Sequence, residues 1–245
     1  MATKRNPDNN VGEESGKANL SLKLKLDDMI TISPKTDKQR EFFDAYNSGH
    51  YFVALHGLAG TGKTYIAMYK ALEEVLDRSN PYSKVTVIRS AVQSRDMGHL
   101  PGDAADKMDI YTQPYKQICA DLFKRRDAWN RLQEQGHVEF VSTSFIRGTT
   151  FNYGILVVDE IQNMTFEELD TIITRVGHTS KIIFCGDYRQ TDLKKREDKS
   201  GLLKFLDIAR KMQEFTRIEF TLDDIVRSSL VKNYIIAKTK YEDQL

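Results

Sequence analysis

The run His56-Gly57-Leu58-Ala59-Gly60-Thr61-Gly62-Lys63-Thr64 spells G-x-x-x-x-G-K-T, a spacing suited to phosphate chemistry. Glycines let the backbone curl until successive N–H groups converge on phosphate oxygens. The lysine then adds a point charge toward the β- and γ-phosphates, and the threonine hydroxyl offers Mg²⁺ a hard oxygen donor. The residues expected to contact a nucleotide are therefore Gly57, Leu58, Ala59, Gly60, Thr61, Gly62, Lys63, Thr64 and the adjoining Tyr65, with ATP and Mg²⁺ as ligands. A second signal is Ile155-Leu156-Val157-Val158-Asp159-Glu160, an apolar run that delivers two acids to its end. In a phosphate-loop enzyme the first such acid, Asp159, holds Mg²⁺ and the second, Glu160, polarises the attacking water. A third run, Lys181 to Asp187, is followed by Gln190, a polar residue placed to sense the γ-phosphate; the plainer reading is that Asp187 and Gln190 only end a strand.

These residues need a rigid frame. Tyr51 to Leu55 reads as a buried strand before the loop, and Ile66, Ala67, Tyr69, Leu72, Val75 and Leu76 carry helical spacing after it, stopped at Asn80-Pro81. Further strands are expected at Lys84 to Arg89, Val138 to Val141, Ile155 to Val158, Lys181 to Asp187 and Thr216 to Phe220. Helical patterns run from about Tyr111 to Gln135, Phe166 to Val176 and Leu202 to Met212, with a final helix after Ser229. Strand–helix alternation implies an α/β fold, a mostly parallel sheet with helices on both faces and the ligand at the carboxyl ends of its strands. Residues 1–18 are polar and read as a flexible tail, leaving 19–245 as a single domain. Within it, Leu20, Leu22, Leu24 and Leu26 alternate with Ser21, Lys23 and Lys25, so 19–33 is expected to add a half-buried strand, at the sheet edge or against a neighbouring chain.

At 245 residues, 40% hydrophobic and 29% charged, the chain has room for one such domain, and its net charge of +1 confines any nucleic-acid contact to a local patch. Cys119 and Cys185 lie far apart with no C-x-x-C, so neither a metal cage nor a disulfide framework is expected. No apolar run approaches membrane-spanning length and the first residues lead into no apolar h-region, from which a soluble protein of the cytoplasm is expected.

Several positions admit two readings. Thr36 and Gln39 have the spacing of a capping box, yet a glutamine upstream of the loop also suits recognition of adenine through both edges of its amide. The long polar stretch from Gln93 to Asp106 has the length of a functional loop, and His99 within it reads as a loop residue rather than a ligand. Lys124-Arg125-Arg126 beside Trp129 could stack and neutralise nucleic acid, but a solvated helix face above a core tryptophan is the simpler account.

Taken together, Gln39, the loop Gly57 to Thr64, Gly98-x-Leu100-Pro101-Gly102-Asp103, Phe145-Ile146-Arg147-Gly148, Asp159-Glu160-x-Gln162-Asn163, Gly186-Asp187-x-x-Gln190-x-Asp192-Leu193 and Asp224-Ile225-Val226-Arg227 resemble the PhoH-like family over about residues 34 to 236. The resemblance implies a RecA-like P-loop ATPase domain similar to the first motor domain of superfamily-one helicases. It also implies an ATPase that moves along or unwinds RNA or single-stranded DNA. Another class of reading is a nucleotide-dependent switch or scaffold for a protein partner. Arg89, Phe145 and Arg147, each following a core strand, are the expected polymer contacts. Helicases of that superfamily complete the site with an arginine from a second domain, which this chain lacks room for. Arg227 is the candidate, acting across a head-to-tail interface of a homo-oligomer, most simply a hexameric ring, or within its own subunit, or pairing with Asp223 or Asp224. Short chains of this type look like phage-encoded members, which would place the protein in the host cytoplasm. Two departures stand out: Arg89-Ser90-Ala91 where the family commonly has Arg-Pro-Ala, and Arg227-Ser228 where it has Arg-His.

Overall fold

The apolar runs are strands buried on both faces, and that burial fixes what surrounds them. The computed structural model describes residues 23–90, 104–187 and 196–242. In chain order the elements are α1 (Asp37–Asn47), β1 (Phe52–Gly57), α2 (Lys63–Leu76), β2 (Lys84–Arg89), α3 (Ala104–Phe123), α4 (Ala128–Glu134), β3 (Val138–Ser142), β4 (Gly154–Val158), α5 (Phe166–Ile173), β5 (Lys181–Gly186), α6 (Arg196–Ala209), β6 (Phe215–Phe220) and α7 (Ser229–Glu242). The strands form one sheet in the order β3-β2-β4-β5-β1-β6, and every neighbouring pair is parallel.

Successive side chains on a strand point to opposite faces, and here they enter two separate cores. Val53, Leu55, Val85, Val87 and Val157 meet Phe42, Leu72, Tyr115 and Trp129 from α1 to α4. Ala54, Ile88, Leu156, Val158 and Phe184 meet Leu169, Ile172, Phe205 and Leu206 from α5 and α6. Each such side chain contributes roughly 1.5–3 kcal/mol when fully buried. The inner strands, covered on both faces in this way, read as near-continuous apolar runs, whereas the edge strands β3 and β6 keep partly exposed polar residues.

Two expectations change. The described part of the N-terminal strand is not a strand: Leu26–Asp28 is a short 3₁₀ turn. Leu24 is buried as its pattern required, but its backbone pairs with a side chain. The Gln135 amide accepts from Leu24 N at 2.8 Å and donates to Leu24 O at 3.0 Å, supplying both bonds that a neighbouring strand would make. The single helix expected from Tyr111 to Gln135 is two, α3 and α4. Lys124 adopts a left-handed φ of 54°, and Asp127 accepts from both Arg125 and Arg131. That turn folds Trp129 back into the core at 2% exposure, so it is no stacking platform. Residues 1–18, the Gly98 to Asp103 motif with His99, and Gln190 lie outside the described residues.

Candidate active site

Strand order sets what stands beside what. Along the carboxyl edge of the sheet come Phe145 and Arg147 after β3, Arg89 ending β2, Asp159 and Glu160 after β4, Asp187 after β5, then the loop after β1. Neighbouring strands lie about 4.8 Å apart, so the two acids stand two strand spacings from the loop, with β5 between.

The loop is seated on the end of β6. Gly57 has φ 121°, and a Cβ there would fall 2.1 Å from Phe220 O, so only glycine allows this approach; Leu58 N donates to the same carbonyl at 3.2 Å. Gly62, at φ 81°, caps α2 in the left-handed region. The first turn of α2 thereby aims its free N–H groups, with the positive end of the helix dipole, at the space inside the loop. Lys63 Nζ donates to Gly57 O at 2.9 Å, Leu58 O at 2.7 Å and Thr61 Oγ1 at 3.2 Å, which centres its charge in that space. Burial lowers the Lys63 pKa, while Asp187, Cys185, Asp159 and Glu160 oppose the shift. Tyr65 turns its ring onto the α1–α3 side of the core, so its backbone is what it offers the loop.

Thr64 Oγ1 donates to Asp159 Oδ1 at 2.7 Å, bringing together the two oxygen ligands expected of Mg²⁺ across 95 positions of sequence. The other carboxylate oxygen, Oδ2, accepts from Tyr115 Oη at 2.9 Å. Among the described residues no group of three or more His, Cys, Asp or Glu side chains could cage a metal. One carboxylate and one hydroxyl, completed by phosphate oxygens and water, is how Mg²⁺ is usually held, so the residues fit the ion.

Glu160 sits in the left-handed region at φ 56°. Burial and the neighbouring Asp159 raise its pKa; Arg89, a hydrogen bond from Gln162 and Lys63 oppose the rise. The Gln162 amide is a bridge. Its Nε2 donates to Glu160 Oε2, its Oε1 accepts from Asp187 N at 3.0 Å, and Asp187 Oδ2 accepts from Ala59 N of the loop at 3.1 Å. The Glu160 carboxylate is thus linked to the loop after β1 through the end of β5.

Gln39 is 3% exposed. Its backbone N–H donates to Thr36 Oγ1 at 3.3 Å, so Thr36 is the N-cap, but the return bond of a capping box is not made. Instead Oε1 accepts from Lys35 N at 2.8 Å and Nε2 donates to Thr61 O at 2.9 Å, anchoring the amide to the loop. One Nε2 hydrogen and one Oε1 lone pair remain, which is what adenine recognition requires. Arg227 is exposed and lies against its own loop. Val226 N donates to Gly60 O at 3.1 Å, and a Cβ built on Gly60 would meet Arg227 Cγ at 3.1 Å. Of the two pairing alternatives, Asp223 is exposed, and Asp224 is buried and accepts from Thr221 N and Oγ1.

Phe145 is 66% exposed and Arg147 is exposed, while Ile146 between them is buried as their anchor. Arg89 is half-buried, its guanidinium 5.8 Å from the centre of the Tyr111 ring on α3. Ser90, at the first departure from the family pattern, donates to Glu168 at 2.8 Å and ties β2 to α5. Sequence reasoning assigned no role to Tyr115 or Gln162. The first looked like any apolar helix position; its one hint was that a buried phenol needs a partner.

The PhoH-like protein family matches residues 31–239 of this chain. A PhoH-like protein of Mycobacterium leprae is 33% identical over 234 residues, covering 95% of this chain and 66% of its own length. One of Bacillus subtilis is 34% identical over 211 residues, covering 86% and 65% respectively. The chain thus spans about two thirds of the length of these curated relatives. Among solved structures, the large terminase of a thermophilic bacteriophage, in complex with ADP, superposes with a TM-score of 0.50 at 13% identity, over 81% of this chain and 48% of the terminase. That likeness is one of fold, an α/β RecA-like fold of the P-loop type. No helix among the described residues is long and apolar enough to cross a membrane.

Proposed function

The chain belongs to the PhoH-like family, and from that premise we propose that it binds ATP with Mg²⁺ and hydrolyses it in response to RNA or single-stranded DNA. The observation that carries the reading is the contact of Thr64 with Asp159 beside Glu160, which joins the loop and the acid pair into one site. The loop amides and Lys63 bind the β- and γ-phosphates, and Thr64 and Asp159 hold Mg²⁺. When bound there, the ion would supply positive charge that offsets charge developing on the phosphate oxygens. Gln39 presents its remaining donor and acceptor to adenine. Glu160 accepts a proton from the attacking water, for which a carboxyl pKa raised above its ordinary value suits it. Gln162 holds that carboxylate in place. Gln190 is retained as γ-phosphate sensor.

Arg227 supplies positive charge to the γ-phosphate from within its own subunit, as its packing on Gly60 favours. The sequence argument for a hexameric ring rested on an arginine supplied from outside the subunit; in this reading the arginine comes from the same chain. Arg89, Phe145 and Arg147 form the polymer face, the arginines neutralising phosphates and the exposed ring stacking on a base. Arg89 also acts electrostatically on Glu160, so the polymer would meet the chain beside the catalytic carboxylates. Phosphate release measured with RNA, with single-stranded DNA and with neither tests the reading. A polymer should raise the rate, and Glu160→Gln should abolish turnover while keeping ATP affinity. A rate indifferent to both polymers would favour a nucleotide-dependent switch for a protein partner, and an active Glu160→Gln would remove the base.

A further inference from the structure

The nucleotide signature accounts for one oxygen of Asp159. The other is held by a residue outside that signature. Tyr115 lies on α3, 44 positions before Asp159, and donates its phenol hydrogen to Asp159 Oδ2 at 2.9 Å while Oδ1 takes the Thr64 hydroxyl at 2.7 Å. The Tyr115 ring is fully buried, with the Trp129 and Phe140 rings at 6.3 and 5.9 Å. Packed in this way it has little rotational freedom, so its hydroxyl is a fixed point. A carboxylate alone has a broad torsional preference about its last bond. A donor on one oxygen from a locked side chain sets the plane of the group and therefore the direction in which the other oxygen presents its lone pairs.

We propose that Tyr115 is a positioning residue for the Mg²⁺ site, aiming Asp159 Oδ1 at the metal it shares with Thr64. The inference rests on the nucleotide reading above and adds a residue to it. Outer-shell donors of this kind orient metal ligands, and their removal lowers metal affinity by about 10- to 100-fold. Tyr115 itself touches neither metal nor nucleotide; it acts through Asp159.

Tyr115→Phe deletes the donor and keeps the ring in its packing. Binding of a fluorescent ATP analogue is followed as Mg²⁺ is titrated, and again in EDTA. The midpoint in Mg²⁺ should rise by about tenfold or more, affinity in EDTA should stay within about twofold, and excess Mg²⁺ should restore binding. Cys119→Ala, one helical turn further along the same buried face of α3, serves as a packing control. It should lower the unfolding temperature without moving the Mg²⁺ midpoint. An unmoved midpoint in Tyr115→Phe, or an equal loss in EDTA and in Mg²⁺, would overturn the positioning role. Wild-type protein that binds the analogue equally well with and without Mg²⁺ would overturn the metal site itself, a failure visible before any variant is made.

Discussion

Gly57→Ala offers the sharpest test of how the loop is built. The added Cβ would lie 2.1 Å from Phe220 O and 2.9 Å from both Phe220 C and N. Contacts this short are essentially never tolerated, and the neighbour is strand backbone that cannot swing aside, so the loop must withdraw by roughly 1 Å. Alanine at φ 121° adds strain of about 1–3 kcal/mol, and the overlap adds about as much. The sum, roughly 2–6 kcal/mol, corresponds to a fall of about 4–24 °C in unfolding temperature for a chain of this size. A displacement of about 1 Å in a positioning element can reduce catalysis on the order of a hundredfold. Gly136→Ala separates the terms: φ there is 77° with nothing within 4 Å, so backbone strain of about 1–2 kcal/mol should act alone and phosphate release should be unchanged. Thermal unfolding beside kcat/KM for ATP decides the matter. A Gly57→Ala protein that melts no lower than Gly136→Ala and hydrolyses ATP normally would refute the seating of the loop on β6.

Stability should fall in acid because of His56, whose pKa is depressed from 6.5 to about 4 by burial and by Arg217. The unfolded chain takes up a proton near pH 6.5 that the folded chain refuses, so stability is full above that pH and declines as pH drops toward 4. At about pH 5 the full shift would remove ~2 kcal/mol, which we halve to ~1 kcal/mol because Arg217 is partly solvated; denaturant midpoints at about pH 7.5 and 5, compared with His56→Gln, should show the slope flatten in the variant. Gln39→Glu removes the donor toward Thr61 O and adenine and should erode preference for ATP over GTP by about tenfold, judged by kcat/KM for each; an unaltered preference would leave Gln39 as a loop anchor only. If Arg227 acts within its own subunit, mixing Lys63→Ala with Arg227→Ala should restore no activity even when subunits exchange, and recovery would place the arginine across an interface.

Short-range physics made much of this molecule legible. The four inner strands were readable because a sheet buried on both faces needs largely apolar runs, the edge strands β3 and β6 because apolar and polar residues interleave in them, and the loop because its chemistry lies in the backbone of consecutive residues. Asp159 and Glu160 were readable because charge at the end of a buried run is costly without a task. What stayed hidden depends on which distant segments meet. A period-two pattern states that Leu24 is buried, not that Gln135 will pair with its backbone in place of a strand. Nothing in the local sequence of α3 singles out Tyr115 from Tyr111 on the same helix; only the packing of the helix against the sheet brings the Tyr115 hydroxyl to Asp159. Gln39 reaches Thr61, and Arg227 reaches Gly60, because α1 and the segment after β6 both pack around the loop that follows β1. Burial and turn preferences act over a few residues and are written in sequence, whereas the partner of a buried polar group is chosen by the packing of the whole sheet.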